Sequence, residues 1–188
     1  MIKIKTRFVY LAFLFLFASC EENLLTDTFK CDSKVSFKST KKYTDVLKNY
    51  SVNIPEGWKT EMYFDEYRSE IFSADTTKEL NNSYILEFTR QLGEFNLDTV
   101  FVNHVNQSLL QSKIIPVKEG FGKFKGHPAY FNYAVGQQKG FNYYYLQVFV
   151  KTRSDEYYTL SSKIYGVENL DARFCESIHY MNSIEFVE

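Results

Sequence analysis

Three cysteines, three histidines, a carboxylate cluster and a glycine-rich run are the parts of this 188-residue chain whose types and spacing could do chemistry. Cys20 follows two small residues, Ala18 and Ser19, at the end of an apolar run, a setting in which a thiol is open to modification. Cys31 and Cys175 remain as an even pair, which in an oxidising compartment is a candidate disulfide. A bridge there would close nearly the whole domain and stabilise it by about 4 to 5 kcal/mol through lost entropy of the unfolded chain. The competing reading is two unrelated thiols, Cys175 at the edge of a helix and Cys31 in a tail.

His104, His127 and His179 fall in different segments, and no Cys, Asp or Glu stands at a metal-ligand offset from His104. Gly120-Phe121-Gly122-Lys123-Phe124-Lys125-Gly126 has the glycine content of a phosphate loop. Such a loop needs a helix whose first amides receive the phosphate, and here β-rich segments lie on both sides. Asp65, Glu66 and Glu70 are close in sequence, but alternation along surface β segments accounts for them more simply than acid–base work. No Gly-x-Ser-x-Gly elbow is present. These residues announce no catalytic centre, no metal site and no cofactor, so the expectation is a protein that is not an enzyme.

The first 22 residues, MIKIKTRFVYLAFLFLFASCEE, have the layout of a cleaved secretory signal: basic Lys3, Lys5 and Arg7, the apolar run Phe8 to Phe17, then small residues. The run is shorter than the roughly 20 apolar residues that a spanning helix needs. Its ending, Phe17-Ala18-Ser19-Cys20, resembles the lipobox of bacterial lipoproteins, with Phe17 where Leu is usual. An ordinary secretory signal or a buried N-terminal helix are the other readings. The resemblance implies that the Cys20 thiol is diacylglycerylated and the chain cut in front of it. Two or three acyl chains such as palmitate, at roughly 0.8 kcal/mol per buried CH₂, hold a protein stably on a membrane. Glu21 and Glu22 resemble the signal that sends some lipoproteins to the outer face of the outer membrane. The implied location is the outer membrane, with the domain in the periplasm or at the cell surface.

Residues 1–19 thus read as signal, 20–33 as lipidated cysteine and polar tether, and 34–188 as one globular domain whose folded structure begins near Val35. If the bridge forms, only Glu21 to Lys30 stay free and reach roughly 20 Å. Cleavage before Cys20 removes three basic residues and no acidic one, leaving 19 basic and 23 acidic side chains and a charge of −4. A mildly acidic chain offers no electrostatic footprint for nucleic acid. With 45% apolar and 18% aromatic residues, it can bury a sizeable core. Lys30, Lys34, Lys38, Lys41 and Lys42 read as a solvated basic edge.

In the domain, Tyr50, Val52 and Ile54 alternate with polar residues as a half-buried strand, and Pro55-Glu56-Gly57 turns the chain back so that Trp58 starts the next strand of the sheet. Segments 59–64, 68–74 and 83–90 follow as short strands, with a polar connection at 75–82. Asn96 and Asp98 open a helix to about Gln111, Asn96 accepting the first free amides and Asp98 suiting the dipole. Its stripe is Leu97, Val100, Phe101, Val105 and Leu109. From Ile114 to Ile164 the pattern is a four-strand antiparallel meander with turns at 126–128, 136–140 and 154–156. Its third strand is apolar on both faces, with Tyr144, Leu146, Val148 and Val150 on one and Phe141, Tyr143, Tyr145 and Phe149 on the other. Such a strand is either covered on both sides or offers Tyr143, Tyr145 and Phe149 as a binding face. A last helix runs from Glu168 to about Asn182, capped by Asn169, with Leu170, Phe174, Ile178 and Met181 inward. Ser183 to Val187 can close the sheet edge as a short strand.

The segment Tyr50-Ser-Val-Asn-Ile-Pro-Glu-Gly-Trp58, the helix opening Leu97-Asp98, Gly126-His-Pro-Ala-Tyr130, the pair Tyr157-Tyr158 and the terminal Asn182-Ser-Ile-Glu-Phe186 together resemble PsbP-like domains over residues 43–187. The resemblance implies an α+β fold, an antiparallel sheet flanked by helices as an α/β/α sandwich. It also implies a non-catalytic binding or assembly role, and it supplies no functional residue. The expected function is therefore a membrane-anchored lipoprotein acting as an accessory domain for a protein partner in the envelope. The alternative is a small-ligand or glycan binder that uses the tyrosine face.

Overall fold

A computed structural model describes residues 24–31 and 39–187. The lipidation site expected at Cys20, the signal before it, and residues 32–38 with the expected domain start at Val35 lie outside the described residues. The alternation of Tyr50, Val52 and Ile54 builds β2 (Tyr50–Pro55), but β2 does not join the main sheet. It lies between β1 (Thr40–Thr44) and β10 (Glu185–Phe186) in a separate three-stranded antiparallel sheet. The terminal strand thus closes this small sheet, not the main one. Trp58, directly before β3 (Lys59–Phe64), is a core residue whose ring meets Tyr84 at 4.8 Å.

The main sheet has seven antiparallel strands in the order β3-β4-β5-β9-β8-β7-β6. The remaining members are β4 (Arg68–Ala74), β5 (Tyr84–Leu92), β6 (Ile114–Phe124), β7 (His127–Gln138), β8 (Phe141–Arg153) and β9 (Glu156–Tyr165). The last four form the meander, joined by two-residue turns at Lys125-Gly126, Lys139-Gly140 and Ser154-Asp155. In the first two of these turns both residues have positive φ, the backbone that matches the twist of the flanking strands. Lysine in the first left-handed position hid the true turn, so the glycine and proline signals put the first turn one residue late, at 126–128, and spread the second over 136–140.

Helices cover both faces. The inner face carries α3 (Leu170–Asn182), the small sheet and α1 (Leu24–Phe29), and its cluster includes Leu146, Val148, Val150 and Tyr158. The outer face carries α2 (Thr99–Gln111), whose Val105 and Leu109 pack with Tyr143 and Phe149 of the sheet. The fold is α+β, an antiparallel sheet between helical layers.

Helix α1 corrects the expected tether. Leu25 is fully buried, and the Phe29 ring meets those of Phe131, Tyr133 and Phe174 at 5.6, 5.7 and 5.0 Å. Cys31 is bonded to Cys175 across 144 residues, with Cα atoms 5.3 Å apart. Three apolar residues in a hexamer, Leu24, Leu25 and Phe29, are too few to show a sustained period, yet burying them is what makes the segment helical. Gly122 is the seat for this helix, since a Cβ there would stand 2.6 Å from Leu24 Cδ1.

The caps also differ from the sequence reading. Asp98, not Asn96, caps α2, its carboxylate accepting the Phe101 amide at 2.9 Å. Val100 turns outward and is 74% exposed, because the stripe facing the sheet runs through Phe101, Val105 and Leu109. Asn169 precedes α3 in a left-handed conformation and its side chain makes no cap bond.

Burial holds many phenols neutral. Desolvation pushes Tyr50, Tyr84, Tyr143 and Tyr145 above the ordinary value, and burial with nearby Glu156 pushes Tyr158 up to about 12. A raised folded-state pKa contributes stability that is whole below the unfolded value of 10.0 and is lost as pH rises beyond it. Phenolate absorbance from these buried tyrosines should therefore appear cooperatively with unfolding above that pH, where their independent titration in the folded protein would contradict the burial.

Candidate functional site

Strand β8 places Tyr143, Tyr145, Gln147 and Phe149 on the outer face, because side chains two apart share a face. Strand β9 adds Tyr157, Lys163 and Tyr165 by the same period, with Tyr143 paired to Tyr165 and Tyr145 to Lys163. The Tyr143 and Tyr145 rings stack at 5.8 Å, and Tyr143 meets Tyr165 at 5.0 Å. This is the floor of the site.

Helix α2 is the wall. Phe101 pins it, its ring edge-on to Phe149 at 4.9 Å and to Phe95 at 4.8 Å, while Phe95 stacks on Tyr157 at 4.2 Å. A polar clasp holds the helix from the other side. Asn106 Nδ2 donates to Glu119 at 3.0 Å, Asn132 Nδ2 donates to Asn106 at 3.0 Å, and the Tyr130 hydroxyl donates to Glu119 at 2.7 Å. Helix and sheet do not close on each other along their whole length. Between them lies a cleft of about 550 Å³, lined by His104, Ser108, Gln138 and Gln147 as well as the aromatic floor.

The tyrosine face is thus roofed by α2 and still borders a hollow. Tyr143 and Phe149 are nearly buried and Tyr145 half-buried, and all three border the cleft. The sequence reading set His104 aside and did not anticipate Gln147, Tyr157, Lys163 or Tyr165. Period-two alternation along β9 was the available signal for the last three.

Lys163 is the one Lys or Arg among the lining residues, and it is not a free charge. Its ammonium lies 2.6 Å from Glu87 and 6.0 Å from the Tyr145 ring centre. Burial alone would raise the Glu87 carboxyl, but hydrogen bonds from Lys163 and Ser161 outweigh it and hold the group below its ordinary value. Neighbouring Glu70 is pushed up by burial, with Arg68 opposing and Glu87 reinforcing. The two carboxyls interact, and both Glu70 and Glu87 lie outside the lining of the cleft.

The carboxylates that are close in sequence separate in space. Asp65 accepts the Tyr67 and Arg68 amides at 2.8 Å in a turn, while Glu70 pairs with Arg68 and Glu87 on the sheet. His127 packs against Phe186 and His179 against Tyr180, away from His104 in the cleft wall. Among the described residues no three His, Cys, Asp or Glu could hold a metal ion, and no helix is long and apolar enough to cross a membrane.

No protein-family model and no curated protein sequence matches the chain. Solved structures do. The cyanobacterial PsbP protein of Synechocystis aligns at 12% identity over 83% of this chain and 97% of its own, with a TM-score of 0.55. The Ran-binding protein Mog1p of Saccharomyces cerevisiae aligns at 6% identity over 81% and 97%, also at 0.55. A Pseudomonas aeruginosa protein of unknown function aligns at 14% identity over 79% and 98%, at 0.50. The chain has the α+β fold that PsbP-like and Mog1 proteins share, and at these identities the likeness extends to fold alone.

Proposed function

We propose that this chain is a lipid-anchored envelope protein whose folded domain binds rather than catalyses, with the α2 cleft as its binding site. Cys20 is the proposed point of lipidation, which puts the domain on the outer membrane, facing the periplasm or the cell exterior. The cleft carries the reading. Its volume of about 550 Å³ falls in the size range of small-molecule sites, roughly 300–1,000 Å³. Tyrosines give it flat apolar surfaces with hydroxyl rims, and His104, Ser108, Gln138 and Gln147 offer neutral hydrogen-bonding groups. With Lys163 neutralised by Glu87, the chemistry fits an uncharged, ring-shaped, hydroxyl-bearing ligand such as a saccharide.

The test is an NMR titration of the protein with a panel of neutral mono- and disaccharides. Shifts should map to the cleft, and Tyr145→Ala should weaken binding about tenfold, or about 1.4 kcal/mol, while Tyr145→Phe keeps most of it. Shifts that map away from the cleft, or affinity indifferent to Tyr145→Ala, would end this version.

A second reading, an accessory domain for a protein partner, is favoured by β6. This eleven-residue strand pairs only with β7 among the described residues and exposes Ile115 and Val117 beside its free edge. Such an edge can accept a strand from another chain. A photo-crosslinker at Val117 in intact cells should then capture one discrete partner, and no adduct under any growth condition would remove this reading.

A further inference from the structure

The docking of α1 fixes which way an anchored domain faces. Only Glu21, Glu22 and Asn23 separate Cys20 from Leu24, the first residue of α1. At no more than about 3.6 Å per residue, four steps keep Cys20 within about 14 Å of Leu24. Helix α1 is itself held fast. Beyond the disulfide and the Phe29 contacts, Lys118 Nζ donates to the Thr28 carbonyl at 2.7 Å and Asn182 Nδ2 to the Thr26 hydroxyl at 3.3 Å. Leu24 sits over Gly122, two residues before β6 ends at the Lys125-Gly126 turn. A lipid on Cys20 therefore lies at this end of the sheet.

What that end presents suits a bilayer surface. Phe121 is 57% exposed, and Lys123 and Lys125 project around the hairpin tip. Beside it the Phe186 ring meets His127 at 5.5 Å, and the Val187 amide donates to the Asn49 carbonyl at 2.8 Å. These contacts bring in Val187, which is 56% exposed, and the β1–β2 turn with exposed Val46, Leu47 and Lys48. Two of the acids beside these tips are already engaged, while Asp155 in the β8–β9 turn at the same end of the sheet is exposed. Asp45 is buried and accepts the Leu47 and Tyr50 amides at 3.1 and 2.9 Å, and Glu185 is paired with Lys42. Glu21 and Glu22 in the link oppose part of the lysine charge, so apolar contact supplies most of the fit.

We infer that this end of the sheet lies flush on the lipid bilayer, with Phe121 and the Val46-Leu47 tip among the headgroups and Lys48, Lys123 and Lys125 at lipid phosphates. The inference rests on the proposed lipidation of Cys20. It has a consequence for the cleft, whose Ile114 and Gln138 border the opposite end of the sheet. Ten residue steps along β6 at about 3.3 Å hold that border roughly 33 Å from the hairpin, turned away from the membrane.

The experiment uses protein expressed with its own leader and reconstituted into phosphatidylethanolamine–phosphatidylglycerol vesicles. Nitroxide labels are placed one at a time through Phe121→Cys, Lys125→Cys and Val167→Cys. Val167 is exposed in the loop between β9 and α3, at the far end. Collision with lipid-soluble oxygen relative to an aqueous nickel chelate should be several-fold greater at positions 121 and 125 than at 167. Lys125→Cys keeps the test intact if Phe121→Cys disturbs the fold. Detergent phase partition of the unlabelled protein, beside Cys20→Ala, separates the two ways to fail. Wild-type protein in the aqueous phase defeats the anchor and the inference with it. Detergent-phase protein with equal ratios at all three positions, or a greater ratio at 167, overturns the flush orientation alone.

Discussion

Reducing the bond between Cys31 and Cys175 should lower the unfolding free energy by at least about 5 kcal/mol and the thermal midpoint by at least about 10–20 °C. The bond closes a loop of 144 residues, so the unfolded chain regains almost all its freedom when it breaks. A second effect adds to the first. Helix α1 has six residues, too few to persist alone, and once released it withdraws Leu25 and Phe29 from the inner core. Removing a fully buried leucine costs about 2–5 kcal/mol by itself. Calorimetry with and without reductant measures the sum, and Leu25→Ala in the oxidised protein isolates the packing part. A loss under about 1 kcal/mol on reduction would show that the bond constrains little and that α1 stays docked through its own contacts. The Cys31→Ser, Cys175→Ser pair should reproduce the reduced state.

Replacing Arg173 by Met should cost about 3–5 kcal/mol, an effect as large as losing a buried ion pair although its hydrogen bonds go to backbone carbonyls. Arg173 on α3 is 5% exposed. Its Nε donates to the Glu168 carbonyl at 2.9 Å, Nη1 to those of Ser83 and Tyr165 at 2.7 Å, and Nη2 to that of Gly166 at 3.1 Å. The guanidinium fork therefore ties the start of α3 to the end of β9 and to the segment entering β5. Methionine fills the same space with no donor and leaves buried carbonyls unpaired, each costing about 1–3 kcal/mol. Lysine has a single ammonium and cannot reach the same set, so Arg173→Lys should recover less than half of the loss. Gly166 completes this corner, with φ of 74° and the Asn81 carbonyl oxygen 2.2 Å from where a Cβ would stand. Denaturant unfolding of the two Arg173 variants is the measurement. A cost below 1 kcal/mol for Arg173→Met would mean that water satisfies those carbonyls.

The strands of the main sheet, the two longer helices and the two-faced character of β8 were legible because each depends on a short period in the side chains. Alternation over Tyr143 to Val150 says that both faces are apolar whatever the rest of the chain does. The pairing of Cys31 with Cys175 was readable as an even count after Cys20 was set aside. The caps were readable only in kind, since Asn96, Asp98 and Asn169 all have capping chemistry and backbone geometry chooses among them.

Tertiary structure decided what no local pattern encodes. Leu24 to Phe29 carries too few apolar residues to show a helical period, and it is a helix because Leu25 and Phe29 find the inner core and Cys31 finds Cys175. Strand β2 reads like any half-buried strand, and only the return of β10 beside it removes it from the main sheet. Arg173 reads as a polar interruption in an apolar stripe, while its carbonyl partners come from positions 83, 165, 166 and 168. The cleft exists because α2 is held by Phe101 and by the Asn106 clasp and stands clear of Tyr145 between them. Period is a property of neighbours along the chain, whereas a cavity, a buried fork and a docked helix arise where distant segments meet.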